Sequence, residues 1–341
     1  MAITNSAARR VCNVVVFRNM QSAAGRRRGT DPSRRRFLAT TSLALLGAGT
    51  QAQAPIAPGE PIVDIHQHLN YSGRTDEALL AHQRAMGVTM TVLLPAGRTV
   101  NRRSTHEGAA NGLQVGALGN EACWRFSTGH RDSYRFAANE VPDIAETLTE
   151  IGRYLQRGAV MIAEQKFGID CDSPEMQRLY SLAQDRGVPV LMHWQFEMYS
   201  YGFERFHRML EKFPRVDFIG HAQTWWANID KNHADQKVLY PRGPVAGGGL
   251  TDRYLADYPN MFGDLSAGSG LNALTRDEAF TRGFLARHQD KLLFGSDCND
   301  GAGSGPKCQG SQTIAAILRL SPDAAITRKL LHANAKKLLR L

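Results

Sequence analysis

The chain has 341 residues, of which 43% are hydrophobic and 21% charged, a balance that fits one large or two modest globular domains and excludes a disordered chain. The net charge of +9 is concentrated at one end: residues 1–54 hold nine arginines against the single acid Asp31, and the remainder carries 32 basic and 31 acidic residues. That nearly neutral remainder lacks the basic surplus that phosphate-backbone binding needs, so nucleic acid is excluded as the expected partner.

The first element in chain order reads as an export signal. In 33-SRRRFLATTSLALLGAGTQAQA-54 a charged stretch precedes an apolar run from Phe37 to about Gly49 and a tail of small residues. The run is about thirteen residues, too short to cross a bilayer of roughly 30 Å as a helix, so no stable membrane span is expected. The segment from Ser33 to Leu38 resembles a twin-arginine signal, which implies the twin-arginine export machinery as a partner and a periplasmic or secreted location. A disordered basic tail is the plainer alternative. Cleavage after Ala54 would leave Pro55 beside the cut, with Ala52 as a second site, and Met20 is an alternative start. Residues 1–54 therefore separate as signal and basic extension from a domain at 55–341. Beyond the signal, Cys298 and Cys308 lie ten residues apart in a glycine-rich loop, where they could form a disulfide or remain thiols.

From residue 62 onward, short β-rich runs alternate with helical patterns. The expected strands are 62–68, 88–95, 134–140, 159–168, 188–193, 216–221, 261–267 and 292–297. The expected helices are 75–87, 142–158, 173–187, 202–214 and 275–290. Thr75, Ser173 and Thr275 are placed to cap their N-termini, and Gly87, Gly158 and Gly187 to end helices. Eight such repeats in this length predict an α/β fold, a (β/α)8 TIM barrel, whose strands are buried on both faces. A doubly wound open sheet is less consistent, because no glycine-rich phosphate loop follows the first strand. About forty residues separate His221 from the seventh strand, a long insertion after strand 6. Trp225 and Trp226 in it could line a substrate pocket or pack the insertion onto the barrel.

The residues that carry chemistry recur at strand ends. His66 and His68 close the first strand, His193 the fifth, His221 the sixth and Asp297 the eighth. In a barrel those ends meet on one rim, where barrel enzymes keep their active sites. Positions i and i+2 of a strand share a face, so both imidazoles of the H-x-H pair can reach the barrel mouth, with Asp64 on the same face. An H-x-H pair alone is a weak signal, but five such residues at four strand ends are not. Imidazoles with a carboxylate suit a divalent metal, zinc foremost, with a position open for water. One ion is expected, with two as the alternative.

The order H-x-H, 189-PVLMH-193, 218-FIGH-221 and 294-FGSD-297 resembles the amidohydrolase superfamily, and within it the branch that also holds lactonases and decarboxylases. The resemblance spans residues 60–341. It implies that His66, His68, His193 and Asp297 ligate metal, that Asp297 acts as base, and that His221 binds a second ion or orients the water or substrate. Such proteins can place a bridging carboxylate or modified lysine on the fourth strand, where Glu164 and Lys166 stand as candidates for bridge, support or substrate contact. Arg98, Arg102 and Arg103 after the second strand suit a substrate carboxylate. Trp194, Gln195, Glu197, Asn299 and Asp300 are further candidates around the rim.

The expected function is a metal-dependent hydrolase that cleaves an ester, lactone or amide bond of a small organic acid. The alternatives are a non-oxidative decarboxylase on the same scaffold and a non-catalytic exported metal- or ligand-binding barrel. A homodimer is expected on general grounds.

Overall fold

Parallel strands β1 (Val63–Gln67), β2 (Met90–Leu93) and β3 (Tyr134–Phe136) pair in order, as do β4 (Ile162–Gln165), β5 (Val190–His193), β6 (Phe218–His221), β7 (Met261–Asp264) and β8 (Leu292–Leu293). Backbone hydrogen bonds join the two groups on both sides. Ala138 bridges to Ile162 between the third and fourth strands. Ile65 N–H donates to Phe294 O at 3.2 Å and Asp297 N–H to His66 O at 2.8 Å beside the eighth. The result is the (β/α)8 barrel expected from the sequence. This computed structural model describes residues 60–108, 112 and 116–341; the expected export signal lies outside the described residues.

The helices are α1 (Asp76–Ala85), α2 (Asn120–Gly129), α3 (Thr147–Gln156), α4 (Pro174–Arg186), α5 (His207–Lys212), α6 (Gln223–Ala227), α7 (Leu250–Asp257), α8 (Ala267–Thr275), α9 (Glu278–Arg287), α10 (Gln309–Leu320), α11 (Ala324–Arg328) and α12 (Asn334–Leu339). Local chemistry sets their ends. Thr75 accepts from Ala78 N–H at 3.2 Å and Ser173 from Met176 N–H at 3.3 Å, each satisfying an otherwise orphaned donor of the first turn. Gly187, at φ 61°, ends α4 in the left-handed conformation. Thr275 does not cap: it is the last residue of α8, its hydroxyl donates back to Leu271 O at 2.7 Å, and the Asp277 carboxylate caps α9 instead. Among the described residues no helix is long and apolar enough to cross a membrane.

The core has two layers. Val63, Ile65, Val92, Leu94, Met161, Ala163, Leu191, Ile219 and Leu293 fill the barrel, which α12 closes below with Ala335 and Leu339. A larger cluster fills the space between strands and helices, as close packing of a parallel barrel requires. The insertion after β6 contributes to this outer layer. Trp225 and Trp226 are both buried, and Trp225 lies so close over Gly220 that a Cβ there would sit 2.4 Å from its ring.

Candidate active site

Simple alternation does not place the histidines. Val63 and Ile65 point into the barrel, so an unbroken strand would send Gln67 inward next and His66 and His68 outward. The pairing of β1 with β2 shifts register between Asp64 and Gln67, and that of β4 with β5 between Ile162 and Gln165. These irregularities sit immediately before His66 and Glu164 and re-aim them, a common use of bulges beside active sites. Asp64 holds the first one. Its Oδ1 accepts the His66 N–H at 3.0 Å and the Ser296 N–H at 2.9 Å, while Oδ2 accepts from Gln83 on α1 at 3.0 Å. Asp64 thus braces the strand end from outside the barrel and does not share the imidazoles' face.

Five donor atoms converge at the rim. Nε2 of His66 and of His68 lie 3.7 and 3.6 Å from Glu164 Oε2, and 3.7 and 3.4 Å from Asp297 Oδ1. Nε2 of His221 is 3.8 Å from Glu164 Oε1 and 3.7 Å from Asp297 Oδ2. His66 Nε2, His68 Nε2, His221 Nε2, Glu164 Oε2 and Asp297 Oδ1 are all buried without a hydrogen-bond partner. Buried polar atoms are ordinarily satisfied, so orphans gathered at one rim need a partner. Their side chains form two overlapping groups, His66 with His68 and Asp297 and His66 with Glu164 and His221, each offering ligand atoms within 4.8 Å of one another. Bonds of about 2.0–2.2 Å to a central ion would separate tetrahedral ligands by about 3.3–3.6 Å. The residues therefore fit a divalent ion.

The opposite ring nitrogens are tied down. His66 Nδ1 donates to Asp264 Oδ2 at 2.7 Å and His68 Nδ1 to Leu94 O at 2.8 Å. His221 Nδ1 lies 3.0 Å from Ser266 Oγ and 3.2 Å from Asp264 Oδ2. With Nδ1 tied down, each Nε2 is aimed at the centre, the usual arrangement behind a metal-binding imidazole. Asp297 has a φ of 45°, a rare conformation for a side-chain-bearing residue, held by its bond to His66 O.

The electrostatics follow from this crowding. Burial opposes ionisation of Asp297, yet the His66 and His68 rings pull its pKa down to about 2. Burial likewise works against charge on Glu164, but the Lys166 ammonium and the His193 and His66 rings hold it well below the usual range. Burial disfavours a charged His66, but Asp297, Asp264 and Glu164 outweigh it and raise its pKa well above that of a free imidazole. His193 goes the other way, down to about 4, through burial and the nearby Lys166. Both carboxylates are thus ionised at neutral pH, as ligands must be.

His193 stands beside this group. Its Nδ1 donates to Glu164 Oε1 at 2.7 Å, and its Nε2 is 3.4 Å from Gln195 Oε1. Lys166, partly buried, lies with its ammonium 5.7 Å from the centre of the Tyr199 ring. The remaining candidates are drawn elsewhere. Arg98 Nε donates to Glu140 at 2.9 Å and Arg102 to Asp143 O at 2.5 Å, so both guanidinium groups are tied to the loop after β3. Trp194 packs on Phe203 and Phe206 and lines a cavity of ≈ 550 Å³ with Gln195 and Tyr199. Trp225 is fully buried against Phe203 and Trp226 and takes no part in the centre, because the insertion's short helix lays it over β6. Asn299 is exposed and reaches Ser72 Oγ at 3.2 Å.

Sequence reasoning overlooked Asp264, Ser266 and Tyr71. Asp264 ends the seventh strand and obeys the rule that found the others. Tyr71 follows β1 in a single helical turn with no periodic signal; its ring meets His68 edge-on at 4.9 Å. The charge of the Asp297 carboxylate and burial together raise its pKa.

Fold and donor cluster define a (β/α)8-barrel protein with a candidate metal centre at the C-terminal ends of its strands. The model of the amidohydrolase family matches residues 63–341, and the chain belongs to that family. Its members are typically metal-dependent enzymes, in keeping with the groups of candidate ligands found here. Solved structures agree on the fold. An uncharacterised TIM-barrel protein from Bordetella bronchiseptica superposes with a TM-score of 0.54 at 16% identity, covering 82% of this chain and 98% of that one. A 5-carboxyvanillate decarboxylase from Sphingomonas paucimobilis gives 0.52 at 13%, covering 79% and 84%. A probable 2-pyrone-4,6-dicarboxylic acid hydrolase from Acinetobacter baumannii, with citric acid bound, gives 0.52 at 13%, covering 82% and 99%. No curated protein matches the chain.

Proposed function

We propose that this amidohydrolase-family enzyme is a metal-dependent hydrolase acting on an ester, lactone or amide bond of a small organic acid. The observation that carries the reading is the set of five buried, partnerless ligand-type atoms whose imidazoles are held in orientation through Nδ1. His66, His68, Glu164 and Asp297 would hold one divalent ion, zinc for this donor set. Such an ion supplies Lewis acidity, polarising a carbonyl and making water a better acid.

The chain's own groups do the rest. Asp297 is the base: ionised and at the rim, it takes a proton from the attacking water and returns it to the leaving group. Tyr71, kept neutral beside that carboxylate and edge-on to His68, walls the same side of the centre. His221, its Nδ1 pinned by Ser266 and Asp264, orients the substrate carbonyl through Nε2. His193 keeps Glu164 in place. Lys166, whose charge reaches Glu164, provides the positive charge that a substrate carboxylate would pair with.

The competing reading is decarboxylation, supported by a barrel fold shared with the 5-carboxyvanillate decarboxylase; Lys166 would hold a substrate carboxylate in that reaction too. Base chemistry at Asp297 favours hydrolysis. The test is product analysis on a panel of lactones, esters and amides of small acids beside aromatic carboxylic acids, with metal equivalents measured in parallel. A new carboxylate with carbon count unchanged supports the proposal, whereas release of carbon dioxide overturns it in favour of the second reading. Export is also proposed, on the basic stretch and apolar run before residue 55. Efficient delivery to the periplasm after Arg34→Lys and Arg35→Lys together would rule out the twin-arginine route.

A further inference from the structure

Directly behind Asp297 a second group of ligand-type side chains closes on one point, and nothing in the mechanism uses it. His82 on α1, with Cys298, Asp300 and Cys308 from the loop between β8 and α10, place one ligand atom each within 4.8 Å of one another. Both sulfurs and the imidazole are buried. We propose that this pocket is a second metal site, of the zinc type, which orders the loop that carries Asp297.

The distances suit an ion. Cys298 Sγ and Cys308 Sγ are 3.8 Å apart, and Cys308 Sγ is 3.5 Å from His82 Nε2. Tetrahedral zinc, with bonds of about 2.3 Å to sulfur and about 2.0–2.1 Å to nitrogen, requires separations of about 3.8 and about 3.6 Å. The fourth ligand, Asp300 Oδ2, now hydrogen-bonds His82 Nε2 at 3.1 Å, and coordination would open that contact slightly. Its other oxygen is occupied: Oδ1 accepts the Ala302 and Gly303 N–H groups at 2.9 Å each, which turns Oδ2 toward the imidazole.

Backbone donors hold both sulfurs in place. Gly310 N–H donates to Cys298 Sγ at 2.9 Å and Ser311 N–H to Cys308 Sγ at 3.3 Å, the latter at the start of the twelve-residue α10. Met86 Sδ covers the apolar side, 3.7 Å from Cys308 Sγ. A disulfide would need the sulfurs to close to about 2.05 Å. Loading displaces the two thiol protons to solvent as two metal–thiolate bonds form, with no change in oxidation state.

The site's consequence is positional. Gly303, at φ 65°, packs so tightly on α1 that a Cβ would fall 2.2 Å from His82 O. Gln67 Nε2 holds Cys298 O at 3.0 Å and Arg74 holds Asp300 O at 3.1 Å. An ion bridging α1 and this loop would fix Cys298, the neighbour of Asp297, and with it the base.

The test uses the full chain, purified under reductant, stripped and reloaded with cobalt(II). Two equivalents are expected, together with the near-ultraviolet thiolate-to-cobalt charge-transfer absorption that oxygen and nitrogen ligands do not give. His66→Ala with His68→Ala should lose one equivalent and keep that absorption. Cys298→Ser with Cys308→Ser should lose the absorption and one equivalent. Wild-type cobalt protein without the thiolate absorption overturns the proposal, whether its cysteines titrate as free thiols or as a disulfide; this measurement stands even if the serine variant fails to fold. A single equivalent with the thiolate absorption intact would sink the active-site reading and leave this one standing.

Discussion

The Asp264 carboxylate accepts the Nδ1 proton of His66 at 2.7 Å and lies 3.2 Å from the same nitrogen of His221, so one side chain on β7 sets the tautomer of two rings from β1 and β6. Its pKa is held below the usual carboxylate range by those two rings, against the effect of its burial. It can only accept, and this is what makes it a reliable orienting group. Asp264→Asn should therefore lower metal affinity about 10–100-fold, the usual cost of losing a partner behind a metal-binding imidazole. Competition with a graded chelator measures it. Unchanged affinity in a protein with native circular dichroism would show that the rings are oriented by something else.

His193→Ala separates two roles for that residue. The structure bonds it to Glu164 through Nδ1 and leaves Nε2 toward Gln195. As a support for Glu164, its loss should weaken metal binding at that centre about 10–100-fold and leave the centre filled when metal is in excess. His66→Ala should abolish binding at that centre under the same conditions. Equal loss in both variants would place His193 among the ligands.

Much of this architecture was readable because it rests on short-range rules. Each predicted strand overlaps an observed one, and Thr75 and Ser173 cap as their side chains require. Strand-end placement found His66, His68, His221 and Asp297 because a barrel brings those ends together whatever lies between them. The failures are long-range. Whether His66 faces inward depends on a register shift held by Asp64, Ser296 and Gln83, and no window of sequence contains all three. Glu164 and Lys166 looked equivalent as i and i+2, but Glu164 lies within β4, where the register shifts, and Lys166 lies past its end. The loop arginines resembled substrate clamps, yet their partners, the Glu140 carboxylate for Arg98 and the Asp143 backbone carbonyl for Arg102, come from the next repeat.

Trp225 is a case where position near the rim misleads. It is fully buried, pressed on Gly220 and in edge contact with Phe203 and Trp226. Trp225→Ala should cost about 3–5 kcal/mol of stability, as expected for removing a large aromatic side chain from a packed core. Thermal or denaturant unfolding reads this, and KM of the surviving folded fraction should be unchanged. A KM rise with little loss of stability would return Trp225 to the substrate pocket.

Far from the rim, Asp252 on α7 ties the insertion to α9. It accepts from His288 Nε2 at 2.6 Å, from the Gly248 N–H at 2.8 Å and from Arg287 at 3.2 Å. Burial alone would raise its pKa, but these donors take it from 3.8 down to about 2. A folded-state pKa below the unfolded value means the stabilisation is present in full above about pH 4 and is lost as pH falls toward about 2. The shift corresponds to about 2 kcal/mol. The stability difference between wild type and Asp252→Asn should therefore be largest from pH 5 to 7, at about 1–2 kcal/mol, and should vanish near pH 2. Urea unfolding of both proteins across that range provides the comparison. A difference that stayed constant with pH would mean that the ionised carboxylate contributes nothing and that only the packing of the side chain matters.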